Sequence, residues 1–197
     1  MSVQTELDSA RRLGAQLEEL VVKRGECPDD DRNILLMGYW ALLFDFHKGV
    51  LSLIGNALCG SAFALVRPST EALVRAHVAV KGSADDIKNL QQDDYRTNFA
   101  TIGLWIDTEF GTGDLFTKFL GHSRDALHSF THAGISQLGR RFQGHDLTPT
   151  YDDGEIIEVI RVCTSAVWMV TNLVTKHLGF ADEAKKAQEL YLEWGKH

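Results

Sequence analysis

Sustained two-residue alternation of apolar and polar side chains is missing from this chain, so nothing in it argues for a sheet. Prolines number only three, Pro28, Pro68 and Pro149, which leaves long stretches free to run as helix. Cysteine is equally scarce: Cys27, Cys59 and Cys163 are odd in number, widely spaced and without a C-x-x-C pair. That excludes a disulfide framework and a thiolate zinc site, and points to reduced thiols. A surplus of positive charge is lacking too, since 20 Lys and Arg face 27 Asp and Glu for a net charge of -7. Indiscriminate binding to phosphate backbones is therefore not expected, and any nucleic-acid contact needs a local basic patch. No apolar core follows the N-terminal MSVQTELDSARRLGAQLEEL, so no secretory signal is read and a cytoplasmic setting is expected. The longest uncharged stretch, Gly49 to Val66, carries three glycines, an asparagine and serines. It reads as the end of one buried helix and the start of the next, with no membrane association.

What is present is helical periodicity in 197 residues that are 44% apolar, enough to bury a sizeable core. A first helix over about Thr5 to Lys23 aligns Ala10, Leu13, Leu17 and Val21, and Gly25 and Pro28 end it. Asp29, Asp30 and Asp31 supply an N-cap for a second helix running from about Arg32 to Leu58. A third spans Ser61 to Lys81, kinked or effectively started at Pro68. The polar stretch Ala84 to Asp94 precedes helices from about Tyr95 to Phe110 and from about Asp114 to Leu120. Residues 122 to 142 read as helix broken at Gly134, and Gly144 to Gly154 as a polar loop. A seventh main helix, Glu155 to Leu178, is apolar on almost every side and belongs at the centre of a bundle. Asp182 to Trp194 closes the chain with an amphipathic stripe. The fold class is all-α: one domain, an up-and-down helical bundle with additional short helices.

Polar groups stand out against this background. Arg67, Glu71 and Arg75 recur every four residues along one side of the third helix, as an ion-pair ladder. Ala64, Val74 and Val78 share that side, which suggests a second surface over it. In HSRDALHSFTHAGISQLGRR, a stripe of Arg124, His128, His132, Ser136 and Arg140 forms if the helix passes through Gly134. Imidazole moves protons near neutral pH and guanidinium holds phosphate, so these residues are candidates for acid–base and anion chemistry. His128 and His132, with an acid such as Glu71, would also suit a metal, but the H-E-x-x-H pattern is absent and no metal or cofactor is expected. Arg140, Arg141 and His145 make the one basic cluster of note. Arg161 is a lone cation in the apolar seventh helix and demands an anionic mate, with Glu71 or Glu158 the expected partner.

Two runs, ALVRPSTEALVRAHVAV and LHSFTHAGISQLGRRF, resemble segments of uncharacterised bacterial all-helical proteins distantly similar to the HEPN superfamily (higher eukaryotes and prokaryotes nucleotide-binding). The resemblance covers about Gly60 to Phe142 and implies a HEPN-like bundle that works as a homodimer. Many HEPN proteins are metal-independent endoribonucleases of toxin–antitoxin and phage-defence systems, using an Arg and a His from each protomer with four to six residues between them. Arg140 and His145 keep that spacing, whereas Arg124 precedes His128 by three intervening residues and His132 by seven. The resemblance thus implies His128, His132, Arg140 and His145 as catalytic candidates, and Arg67, Glu71, Arg75, Arg124 and Arg141 as binding candidates for RNA or a nucleotide. The acidic charge and the lack of a standard catalytic motif favour another reading, a non-catalytic binding or regulatory module with a protein partner, in which the same residues hold helices in register.

Overall fold

The computed structural model describes residues 2–25, 29–96, 98–122, 129–132 and 134–196. Every regular element among them is a helix, and the only extended pairing is an isolated bridge between Gln143 and Asp146. In chain order these are α1 (Val3–Val22), α2 (Asp31–Gly55), α3 (Cys59–Ala64), α4 (Val66–Lys81) and α5 (Ala84–Gln91). They are followed by α6 (Phe99–Phe110), α7 (Leu115–His122), α8 (Ile135–Gly139), α9 (Asp153–His177) and α10 (Ala181–Trp194). The all-α bundle read from periodicity is the architecture found.

Helix α9 lies at the centre, packed on α1, α2, α4 and α10. From Val162 to Thr175 none of its residues is exposed, because a helix apolar on all sides has to be covered on all sides. Leu17, Leu36, Leu43, Phe44, Leu73 and Leu173 fill the space between these helices at one end. A second cluster at the other end joins Leu7, Val50 and Phe63 to Ile156 and Ile160. Both α2 and α9 are long and apolar enough to cross a membrane by length and composition, and here both supply the bundle core.

Several helix ends differ from the sequence expectation for identifiable reasons. The stretch Ala84 to Asp94 forms α5, started by a capping box in which Ser83 and Asp86 satisfy each other's backbone N–H. The expected third helix divides into α3 and α4 at Leu65. Pro68, lacking an N–H, cannot bond the Ala64 carbonyl, which accepts instead from the Thr131 hydroxyl at 3.5 Å. Helix α2 stops three residues early: Ala57 takes the left-handed conformation (φ 58°) and the Leu58 N–H reaches back to the Leu53 carbonyl at 2.8 Å. That closing turn normally uses glycine, and its absence at 57 hid the helix end.

Asp107 fixes the geometry that matters most below. Buried near the end of α6, its carboxylate accepts hydrogen bonds from the Thr112 hydroxyl, the Phe116 N–H, and the Thr117 N–H and hydroxyl, at 2.5 to 2.9 Å. It thus caps the N-terminus of α7 from a neighbouring helix and holds the α6–α7 corner rigid. Burial alone raises the carboxyl, but the hydrogen bonds from Thr112, Thr117 and Phe116 outweigh it and bring it from 3.8 down to about 2. Asp107→Ala strips four donors of their acceptor, and a loss of about 3 kcal/mol, roughly 6–12 °C in Tm, is expected by calorimetry. Asp114→Ala, which breaks only the exposed pair with Lys118, leaves Tm within about 2 °C.

Candidate functional site

A cleft of about 700 Å³ is walled by α4, the α6–α7 corner, α9 and α10. Its floor is the stripe of α9 formed by Ile157, Glu158, Arg161, Ser165 and Trp168, which recur at three- and four-residue spacing. Leu73 of α4, Phe110 of α6, Phe116 and Phe119 of α7, and Tyr191 of α10 face that stripe. The aromatic side chains are mutually packed. Trp168 stacks on Tyr191 with ring centres 3.9 Å apart and nearly parallel planes, and meets Phe110 at 5.0 Å. The Tyr191 hydroxyl is tied to Ser165 at 2.9 Å, fixing the ring over the cleft. A volume of this size, apolar with a few fixed polar groups, falls within the range of small-molecule sites.

Charge on this wall comes from two side chains one turn apart. Arg161 donates from Nε and Nη2 to the two carboxylate oxygens of Glu6 on α1, at 3.1 and 3.3 Å. Glu6 is 1% exposed, whereas the Arg161 side chain is 49% exposed. The expected pairing of Arg161 with Glu71 or Glu158 is therefore corrected: the partner is Glu6, and it is the acid that is buried. Periodicity could not show this, because Glu6 lies at the start of an amphipathic helix where an acid is ordinarily a solvated dipole partner. Glu158, the other charged lining residue, is exposed and makes no ion pair among the described residues.

The Arg–His segment is arranged differently. Arg140 ends α8 and forms a two-pronged ion pair with Glu155 of α9, with a further bond to the Thr150 carbonyl at 3.1 Å. The Glu155 hydrogen bonds raise the Arg140 pKa and hold its charge. Among the described residues Arg141 has no carboxylate partner; its guanidinium and the Tyr151 hydroxyl both lie 2.8 Å from where a Cβ on Gly60 would stand, so a side chain at 60 would have to displace them. His145 is exposed in the tight turn closed by Gln143 and Asp146. His132 is exposed beside Thr131, whose hydroxyl reaches the C-terminal end of α3. Arg141 and His132 thus border opposite ends of the short α3. Arg124 and His128 lie outside the described residues, and so does the continuous stripe through them. The helix break expected at Gly134 is present, with α8 starting directly after it.

On α4 the ladder is only half made. Arg67 bonds Glu71 at 2.8 Å, while Arg75 turns to Asp93 at 3.3 Å instead of Glu71. All three side chains are about one-third exposed, and α6 packs beside them with Ile102 and Ile106 against Val74 and Val78. That is the second surface the apolar residues on this side called for. Among the described residues no three His, Cys, Asp or Glu side chains converge as metal ligands, and Glu71 is committed to Arg67.

No protein-family model matches the chain, and neither curated proteins nor solved structures give a match.

Two histidines missed as features of interest are buried in the core. His47 of α2 bonds the Thr164 hydroxyl at 3.1 Å and sits so close to α1 that a Cβ on Gly14 would be 2.7 Å from its ring. His77 of α4 is bonded through Nδ1 to the Leu73 carbonyl at 2.9 Å, which makes that nitrogen the donor. Burial, with Lys48 adding for His47, lowers both from 6.5 to about 4. For His77 the Leu73 bond and Glu109 oppose the shift without cancelling it, and Lys81 assists it. A histidine depressed on folding takes its proton more readily when unfolded, so its stabilisation is complete above 6.5 and fades as pH falls towards 4. The urea midpoint should drop between pH 7.5 and pH 5 with an unchanged m-value. The Asp107 contribution is lost at lower pH, between 3.8 and about 2, so a flat midpoint down to pH 5 contradicts the neutral buried histidines.

Proposed function

We propose that this chain is a HEPN-like, non-catalytic binding module, cytoplasmic and homodimeric, whose ligand site is the cleft between α4, α6, α7, α9 and α10. The observation that carries the reading is the cleft itself: about 700 Å³ walled by aromatic rings that are already packed in place, so little ordering is required on binding. The arginines named for phosphate give it indirect support. Arg140 is committed to Glu155, Arg67 to Glu71 and Arg75 to Asp93, and each would have to abandon a carboxylate to hold a phosphate.

The neutral dye N-phenyl-1-naphthylamine, which fluoresces on leaving water, tests this directly. Saturable one-to-one enhancement is expected, weakened tenfold or more by Ile157→Trp, which fills the cleft from its partly exposed wall. Equal responses from wild type and variant would remove the cleft as the site.

A second reading, a metal-independent endoribonuclease, is favoured by Arg141, which has no acidic partner among the described residues and is close in sequence to the exposed His132 and His145. In that mechanism a histidine moves the proton of the ribose 2'-hydroxyl while Arg141 holds the phosphate. Cleavage of single-stranded RNA in excess EDTA, abolished by His132→Ala or His145→Ala, would establish it and displace the binding module. Absence of cleavage, or equal cleavage by both variants, leaves the binding module in place.

A further inference from the structure

We propose that the cleft selects a hydrophobic organic cation, its positive group at Glu158 and its apolar body among the rings of Phe110, Phe116, Phe119 and Trp168. This rests on the reading of the cleft as the ligand site and goes further by fixing the sign of the ligand's charge.

The charge is set by how Arg161 is used. At first sight a guanidinium in an apolar cleft calls for a carboxylate ligand. Yet Arg161 is the counterion of Glu6, which is 1% exposed and receives both of its hydrogen bonds from this one side chain. Turning Arg161 towards a ligand anion would leave a carboxylate stranded in the core, a worse outcome than an unfilled cleft. Arg161 and Glu6 therefore cancel as a fixed internal pair. The uncompensated charge on the lining is Glu158, exposed, one turn before Arg161 and without an ion pair among the described residues.

Aromatic faces point the same way. Their ring quadrupoles present negative density, which attracts a cation and repels an anion. The protein already uses this at Phe110, where the Lys176 ammonium stands 5.8 Å from the ring centre. A net charge of -7 adds a weaker, long-range bias of the same sign. The hydroxyls on the lining are engaged, Ser165 with Tyr191, Thr70 with the Val66 carbonyl and Thr112 with the Asp107 carboxylate. The buried Trp168 Nε1–H, unpaired among the described residues, is a single neutral donor that a neutral ligand oxygen satisfies, so none of these groups demands an anion.

A matched pair of amphiphiles with the same chain tests the sign: decyltrimethylammonium and decanoate, both below their micellar concentrations, titrated calorimetrically into the full chain. The cation is expected to bind one-to-one and at least tenfold more tightly than decanoate. Glu158→Gln should reduce that preference to threefold or less, while Glu193→Gln, which removes an exposed charge outside the cleft, leaves it unchanged. A preference lowered equally by both variants would trace it to net charge and overturn the role of Glu158. Decanoate binding as tightly as the cation, with Ile157→Trp blocking both, would overturn the cation inference and leave the cleft as a ligand site. Failure of both amphiphiles to bind would overturn both readings together.

Discussion

A helix with no solvated side cannot exist alone in water, and α9 is such a helix for most of its length. Covering it is the requirement from which the rest of the bundle follows: α1, α2, α4 and α10 each turn an apolar stripe inwards to it. Buried hydroxyls of α9 find partners within the bundle, whereas the Trp168 indole N–H has none among the described residues. Thr164 bonds the Ile160 carbonyl and meets His47, and Thr175 bonds the Thr171 carbonyl. Such contacts contribute little net energy each, but an unpaired group in their place would be costly, so they fix which residues of α2 can lie opposite α9.

Close packing would eliminate a cleft along α9 unless something rigid kept it open. The Asp107 cap performs that task by setting α7 at a fixed angle to α6, leaving Phe116 and Phe119 facing α9 across a gap. Ion pairs hold the same corner from the other side: Glu109 on α6 bridges Lys81 of α4 and Lys176 of α9, at 2.9 and 3.1 Å. Tyr191 completes the frame from α10, clamped by Ser165 and stacked on Trp168. The cleft is thus bounded by hydrogen-bonded corners, and its aromatic walls do not have to be ordered by a ligand.

The bundle was legible because its signal is periodic and repeated: α9 announced its central position by lacking a polar face, and Gly134 marked a real break. Boundaries were lost where a local device replaced the usual punctuation, as with Ala57 in a glycine conformation and the Ser83–Asp86 box opening a helix in a polar stretch. The site was harder, because its defining interactions join residues far apart in the chain. Arg161 stood out as an anomalous cation, but its mate is 155 positions away in α1. Asp107 gave no sign of its importance, since a carboxylate near a helix end is unremarkable until α7 is folded back onto it. Trp168 and Tyr191 were visible only as core residues, and nothing in their spacing reveals that they stack.

Arg161 couples the cleft to the N-terminal helix. The same guanidinium forms part of the cleft wall and neutralises the buried Glu6, so its position is shared between a surface open to ligands and the contact that docks α1. A ligand that leaves Arg161 in place is compatible with a docked α1, whereas one that draws it outwards acts against the burial of Glu6. Thermodynamic reciprocity then requires that whatever loosens α1 also changes the affinity of the second kind of ligand and leaves the first nearly untouched. Selectivity for charge in the cleft and the integrity of the α1–α9 contact are therefore two consequences of one ion pair, which explains why a half-exposed arginine belongs in a helix otherwise built for the core.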